Sequence, residues 1–566
     1  MKTPLILRNI TRIVQVFILS LALLAILPAC QNRVKPPAHD IVEKEEAWEV
    51  RTSRNLKDNL GYALENKGVL NDSLYLEHIK LANAIYKENQ HQLIWSLKGQ
   101  TNRIADNLYS FITNAKLYGL FPQDYGYYQL RNMRQQMEGD TLAQKDAALW
   151  ARHDLMLTNY FFSLVKDLKH GRLPKDSTTL RTDSVLTDSF FLQQLQSAIQ
   201  SRQVNEVLQS LEPNHAGYDS LKAYLPLFLD SARLIQYTRL SWPYKDSIAF
   251  YKSLNQRLYE EQLLDTLTAN PDTAMLAAAI RKYQQSKKMK VTGKASESLV
   301  SSLNMTDQER FKAIAINMDR YKHLPDTMPL TYIWVNLPSF MLTVWDSGYV
   351  EMESRVIVGT PKTSTPLLKS DITNFITYPQ WTVPYSIIFK EMLPQIKKNI
   401  GYLAKENLMV VDKNDSVLDP AQIDWKKLSK TNFPYLLKQR EGDNNSLGVI
   451  KFNFRNKYSV YLHDTNARWL FSKSQRALSH GCVRVKEWDQ LARFLVRNVQ
   501  DKYPVDSLQT WIKRQEKHVV SGFQKVPVYI RYFTCEGKGG KLNFFEDIYK
   551  QDRVLADKYF AGKTLD

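Results

Sequence analysis

The 566-residue chain is expected to be an α+β, multidomain protein, helical in its first half and mostly stranded in its second. Three observations predict this. The length exceeds what one hydrophobic core usually serves, so two or more domains with extensions are expected. Apolar residues recur at helical spacing up to about Tyr321. Beyond Pro325 short runs rich in β-branched and aromatic residues, broken by Pro, Gly or Asp, take over.

Lys2, Arg8 and Arg12 precede an uncharged apolar run from Ile13 to Ala29, the layout of a secretory signal over residues 1–29. The run ends in Leu27-Pro28-Ala29-Cys30, similar to the site where a bacterial lipoprotein is cleaved and acylated. Cys30 is therefore the expected lipidation site, anchoring the chain to a membrane. Gln31 rather than Asp after it favours an outer-membrane lipoprotein on the periplasmic side of the cell envelope. An uncleaved membrane anchor is the alternative, because the apolar run sits at the lower limit for spanning a bilayer. Residues 30–46, polar and holding Pro36 and Pro37, read as a tether.

Residues 47–255 read as a helical domain. One helix carries Ile104, Leu108, Phe111, Ile112 and Ala115 on one face and stops at Gly119; another runs from Leu155 through Phe161, Phe162 and Val165 to Leu168. Such stripes are packing surfaces. In residues 256–305, Leu276, Ala279, Ile280 and Tyr283 fall at i, i+3, i+4 and i+7, followed by Gly293 and a second apolar helix ending at Leu303-Asn304. This unit resembles a small peptidoglycan-binding module. Thr306 and Glu309 form a capping-box pair for a helix through Phe311, Ile314, Met318 and Tyr321.

The remainder, 306–566, is the stranded domain, with strands expected at Thr331–Asn336, Phe340–Trp345, Ser354–Val358 and Ser459–Leu462 and a helix from Glu487 to Val499. The formal charge of +18 falls only to about +15 without the signal and favours an anionic partner. No zinc-finger spacing, basic heptad helix or aromatic RNA-binding signature is present, so nucleic acid is not the expected partner.

The chemistry-bearing residues lie in two short stretches, Tyr461-Leu462-His463-Asp464-Thr465 and Ser479-His480-Gly481-Cys482-Val483-Arg484. A thiol is mostly protonated near neutrality, so attack on an amide needs a neighbouring base or positive charge. His463 can be that base for Cys482, its other nitrogen held by the side chain or carbonyl of Asp464. Gly481 lets the backbone approach a substrate, and the amides around it and Cys482 can line an oxyanion hole.

A histidine, a loop-length gap, then Ser-His-Gly-Cys resembles the YkuD-type L,D-transpeptidase signature, and the flanks resemble its large, scaffold-bearing, YcbB-like branch. Asn317 and Arg320, Val335 to Pro338, Arg355 to Gly359, Thr365-Pro366, Trp381 to Pro384, Gln439 to Gly442, Asn445 to Lys451 and Phe545 to Tyr549 share in that likeness. The wider family commonly has Asn where this chain has Arg484. The resemblance implies a YkuD-like catalytic domain with a lid insertion at about 399–447, no cofactor, and a monomeric enzyme acting on peptidoglycan stem peptides. It implies a thioester on Cys482, resolved by a second stem's amine into a 3-3 cross-link, with Trp381, Tyr461, Ser479, His480 and Arg484 contacting substrate. A carboxypeptidase, an endopeptidase, a protein-anchoring transferase and an inactive wall-binding lipoprotein remain alternatives.

Plainer readings stand beside these. A lone cysteine is more often buried and inert. Cys482 and Cys535 could form a disulfide in an oxidising compartment. His463, His480 and Cys482 could be three zinc ligands, but no fourth is evident, and no metal is expected. His480 is as readily a packed loop residue, and Trp381 a core one.

Overall fold

A computed structural model of the chain describes residues 35–71, 74–174, 186–233, 235–267 and 272–563. The signal-like run and Cys30, with the expected lipid anchor, lie outside these residues. Among the described residues no helix is long and apolar enough to cross a membrane. The chain divides into two compact units: one takes its described residues from the stretches up to 113, 122–166 and 186–210, the other from 114–121, 167–174 and everything after 210.

The first unit is helical, built on α1 (Trp48–Glu65), α2 (Ile79–Glu88), α3 (Arg103–Thr113), α4 (Ala147–Lys169) and α5 (Asp188–Ser201). The stripe predicted for α3 is buried at Ile104, Leu108, Phe111 and Ile112, and α4 buries Leu155, Phe161, Phe162 and Val165 completely. The helix ends at Thr113, ahead of the expected stop; a single 3-10 turn then leads to Gly119 in a left-handed conformation. Asp154 of α4 accepts the amides of Ile94 and Trp95 and the Tyr86 hydroxyl. Burial pushes its carboxyl up to about 6, and those donors hold the rise in check. The tether reading does not hold for the end of its span. Val42 is buried against Trp48 and Trp150, the Asp40 carbonyl accepts the Ala147 amide at the start of α4, the Val42 amide donates to the Lys145 carbonyl, and the Asp146 carboxylate accepts the Asp40 amide. One buried valine and a satisfied carboxylate outweigh the polar composition that suggested a linker.

In the second unit the helical chain continues as α6 (Ala216–Ser231), α7 (Ser247–Glu260), α8 (Thr273–Ser286), α9 (Glu297–Asn304) and α10 (Asp307–Tyr321). The small module is larger than its expected 256–305 span. Its core joins Leu240, Phe250, Leu254 and Leu258 to Leu276, Ile280, Leu299 and Leu303, and the Asn304 side chain bonds both backbone groups of Leu240. Thr306 caps α10 by accepting the Glu309 amide, as its sequence predicts. Helices α6 and α10 share a core with Phe533, Cys535 and Phe560, so the segment after 210 packs with the stranded part of the chain.

Nine strands form the main sheet. They include β1 (Thr331–Asn336), β2 (Met341–Asp346), β3 (Tyr349–Gly359), β4 (Leu368–Thr377) and, after an insertion holding β5 to β8, β9 (Ile450–Phe454) and β10 (Leu462–His463). The others are β11 (Ala477–Ser479), β12 (Val483–Val485) and β13 (Val519–Arg531). Their order is β11-β3-β12-β10-β9-β4-β13-β1-β2, and β2 also pairs with β3, so the long β3 closes the sheet on itself. Its buried face holds Phe452, Leu462, Val483 and Val485, covered by α11 (Trp488–Val496). The strand expected from Ser459 begins only at Leu462, because Ser459 adopts a left-handed φ of 56° that breaks extended pairing.

The insertion is a folded piece with its own four-stranded antiparallel sheet, ordered β7-β6-β8-β5: β5 (Trp381–Thr382), β6 (Leu408–Val411), β7 (Val417–Leu418) and β8 (Leu436–Gln439). Its separate core runs from Val383 through Ile388 and Ile396 to Trp425 and Leu437. It therefore begins near Trp381, upstream of the expected 399.

Candidate active site

Strand register assembles the site. Lys451 on β9 pairs with His463 on β10, and His463 pairs in turn with Arg484 on β12. Side chains opposite one another in a sheet share a face, and those two apart in a strand return to it. Because Leu462, Phe452 and Val483 point into the core, Lys451, His463, Arg484, Tyr461 and Cys482 fall on the other face. The rings of Tyr461 and His463 lie 5.5 Å apart at 64°, and the Lys451 ammonium sits 4.2 Å from the Tyr461 ring centre.

Cys482 occupies the bend between β11 and β12 and is half-buried. Its sulfur lies 3.9 Å from the Ser459 carbonyl. Burial pushes the thiol up, while the amide and hydroxyl of Tyr461 and the charges of Lys451 and Arg484 pull it down. Cys482 and Cys535 are both free, and Cys535 is fully buried in the core with α6 and α10.

His463 is 4% exposed. Burial, reinforced by Arg484, drives its pKa down to about 3, against the pull of the Asp464 and Leu447 carbonyls, so it is a neutral imidazole at neutral pH. Its Nδ1 makes no hydrogen bond. Of the two Asp464 groups expected to hold it, the carboxylate is engaged elsewhere, accepting the Val449 amide and both Nε and Nη2 of Arg468, and it is the backbone carbonyl that acts on the imidazole.

The loop ahead of Cys482 is tied in several places. Ser479 Oγ donates to the Cys482 carbonyl at 2.6 Å and accepts the Gly481 amide at 3.1 Å. Ser479 thus shapes the bend, and the Gly481 amide is not free to meet an oxyanion. Gly481 has φ of 120°, a conformation side-chain-bearing residues rarely adopt. Its carbonyl accepts Thr365 Oγ1 at 2.9 Å. Tyr549 Oη donates to the Gly359 carbonyl at 2.7 Å and accepts the Thr365 amide at 3.1 Å, bracing the same turn from the C-terminal segment.

His480 Nε2 lies 2.7 Å from Glu391 Oε1 in the insertion. Among the described residues no three His, Cys, Asp or Glu side chains are placed to hold a metal ion. Trp381 pairs with Gln439 within the insertion's sheet, and its buried indole Nε1 has no hydrogen-bond partner. Arg484 has a buried Nε without a partner. Sequence reading did not single out Lys451, Thr365, Tyr549 or Glu391 as site residues. For Lys451 the signal was present, a polar residue alternating with Ile450, Phe452 and Phe454.

Residues 330–506 match the L,D-transpeptidase catalytic domain, and residues 80–225 match the Scaffold domain. The chain carries an L,D-transpeptidase catalytic domain. A Haemophilus influenzae protein named "Putative L,D-transpeptidase" is 35% identical over 250 residues, covering 43% of this chain and 48% of that one, so the chain spans about half the length of the relative it matches. Among solved structures, the Ldtfm-avibactam carbamoyl enzyme is 11% identical over 49% of this chain and 87% of its own, with a TM-score of 0.17. A cysteine-to-serine mutant of an Enterococcus faecium L,D-transpeptidase is 12% identical over 47% and 86%, with a TM-score of 0.16. Strands β1–β4 and β9–β12 lie within the matched residues, whereas β13, which joins β4 to β1 and completes the closed sheet, lies beyond them.

Proposed function

We propose that this protein is a peptidoglycan L,D-transpeptidase of the bacterial envelope that forms 3-3 cross-links, with Cys482 as nucleophile and His463 as general base. What carries the reading is the single polar face on which Cys482, His463, Tyr461 and Arg484 converge inside the matched domain.

In the first half-reaction the Cys482 thiol gives its proton to neutral His463 as its sulfur bonds to the carbonyl of the third stem residue. The developing oxyanion is met by the Cys482 amide, the Gly481 amide being held by Ser479. The tetrahedral carbon then breaks its C–N bond, and His463 returns the proton to the departing D-alanine nitrogen. In the second half-reaction the side-chain amine of another stem attacks the thioester. It loses its proton to His463, and the regenerated thiolate takes that proton back. A neutral imidazole suits both steps, since it must accept a proton each time. Trp381 and Tyr461 wall the acyl group, and Arg484 meets a substrate carboxylate. The enzyme acts as a monomer, held to the outer membrane through lipid on Cys30 and facing the periplasm.

Incubating the purified protein with a carbapenem and weighing it intact tests the nucleophile. One covalent adduct is expected on the wild type and none on Cys482→Ala; an equal adduct on the variant removes Cys482 from the reaction. Muropeptides from cells with and without the enzyme test the product: equal 3-3 dimers would exclude cross-linking and favour water or another acceptor.

A further inference from the structure

Resting on the reading of Cys482 as nucleophile, we propose that Lys451 supplies the positive charge that stabilises the Cys482 thiolate, in place of an imidazolium on His463. Lys451 and Arg484 flank His463 from the strands on either side, each opposite it in register. Neither forms an ion pair with a carboxylate among the described residues. Lys451 rests instead on the Tyr461 ring at 4.2 Å, and Arg484 keeps a buried Nε without a partner. Two partly buried cations without an acidic partner carry a desolvation penalty that an anion between them would offset.

The groups facing that space leave one candidate anion. The Tyr461 hydroxyl, its pKa raised well above normal by burial and by Cys482, remains a donor to the sulfur. His463 is kept neutral by burial and by Arg484. His480 and Glu391 are turned to each other. The coupling is reciprocal: burial lowers the pKa of Lys451 and Arg484, and Cys482 raises both. In the free enzyme the sulfur's proton exchanges with solvent through His463, because imidazolium is unfavourable there, and the thiolate is held beside the ammonium; during acyl transfer His463 carries a proton only in passing, between sulfur and the departing nitrogen.

The test is the pH dependence of Cys482 alkylation by iodoacetamide in the full-length protein, read by peptide mass so that Cys535 is counted separately. Lys451→Met is expected to raise the titration midpoint by about one unit and slow alkylation near pH 7.5 about tenfold. Lys451→Arg should restore both, which a merely structural role would not require. Lys451→Gln supplies the same readout should the methionine variant not fold. An unmoved midpoint in either folded variant overturns the proposal. Carbapenem adducts weighed in the same samples separate the two readings: a wild type that alkylates normally but takes no carbapenem defeats the transpeptidase reading alone.

Discussion

Cys482 and Cys535 share one polypeptide and sit in opposite electrostatic surroundings. Burial raises the pKa of both. Around Cys482 the next influences are donors and cations, from Tyr461, Lys451 and Arg484, which pull the other way. Around Cys535 they are the carboxylates of Glu536 and Asp552, which push in the same direction as burial. Strand register decides whose side chains share each sulfur's surroundings, and so surrounds Cys482 with donors and cations and Cys535 with carboxylates.

The sharpest way to break this comparison is to delete each sulfur. Cys482→Ala is expected to slow carbapenem acylation by at least about 10⁴-fold, as loss of a nucleophile generally does. Cys535→Ala should acylate like the wild type and lose about 1 kcal/mol of stability in urea through a small core cavity. Label found on Cys535 in the folded Cys482→Ala protein would erase the distinction.

Gly481→Ala tests how far the reactive loop depends on its backbone. A Cβ built there would meet only the Thr363 and Ser364 carbonyls, at 3.6 and 3.9 Å, so space is available. The cost lies in a φ of 120°, about 1–3 kcal/mol of backbone strain. Relief of that strain rotates the Cys482 peptide, so acylation should fall about 10- to 100-fold while thermal unfolding shifts by only a few degrees. Unchanged acylation would mean that the loop tolerates another geometry.

The acid response sharpens the comparison further. His463 has its pKa lowered from 6.5 to about 3 when folded. The folded state thus binds fewer protons there than the unfolded one, so the stability linked to this group is fully present above pH 6.5 and is lost as pH falls toward 3. His463→Phe should flatten the decline of stability between pH 6.5 and 4 relative to wild type, measured by urea titration at each pH. In the wild type, the acylation rate should show no step near pH 6.5. Such a step would place an ordinary, solvated histidine at the site.

How much of this was legible in sequence follows from what local pattern can encode. The stripes of α3 and α4, the Thr306 cap and β1 were readable because each is a short-range fact about spacing or a capping oxygen. Cys482 and His463 stood out because cysteine beside glycine, downstream of a histidine, is chemically distinctive. Lys451 did not, because its relation to Cys482 passes through two strand pairings across 31 positions of sequence. The insertion's start was misread for a similar reason. Trp381 reads as the wall of a cleft, yet it is also an edge-strand residue paired to Gln439. The docked segment around Val42 carries one apolar anchor in a polar run, too little for composition to register.

The smallest expected effect belongs to Tyr549, and it bears on why the proposed nucleophile sits in a loop while Cys535 sits in a strand, β14 (Cys535–Lys538). A strand holds its residues by ladder hydrogen bonds, whereas the bend at Gly481 must be held from outside. Thr365 does so through the Gly481 carbonyl, and Tyr549 in turn fixes Thr365 and Gly359. Tyr549→Phe removes one hydroxyl and strands a carbonyl and an amide, a loss of about 1–3 kcal/mol. Part of that loss should appear as looser positioning of Cys482, slowing acylation severalfold without moving the midpoint of its alkylation profile, because no charge near the sulfur changes. If the variant loses thermal stability while acylation stays at the wild-type rate, the brace is structural only, and the bend is held sufficiently by Ser479.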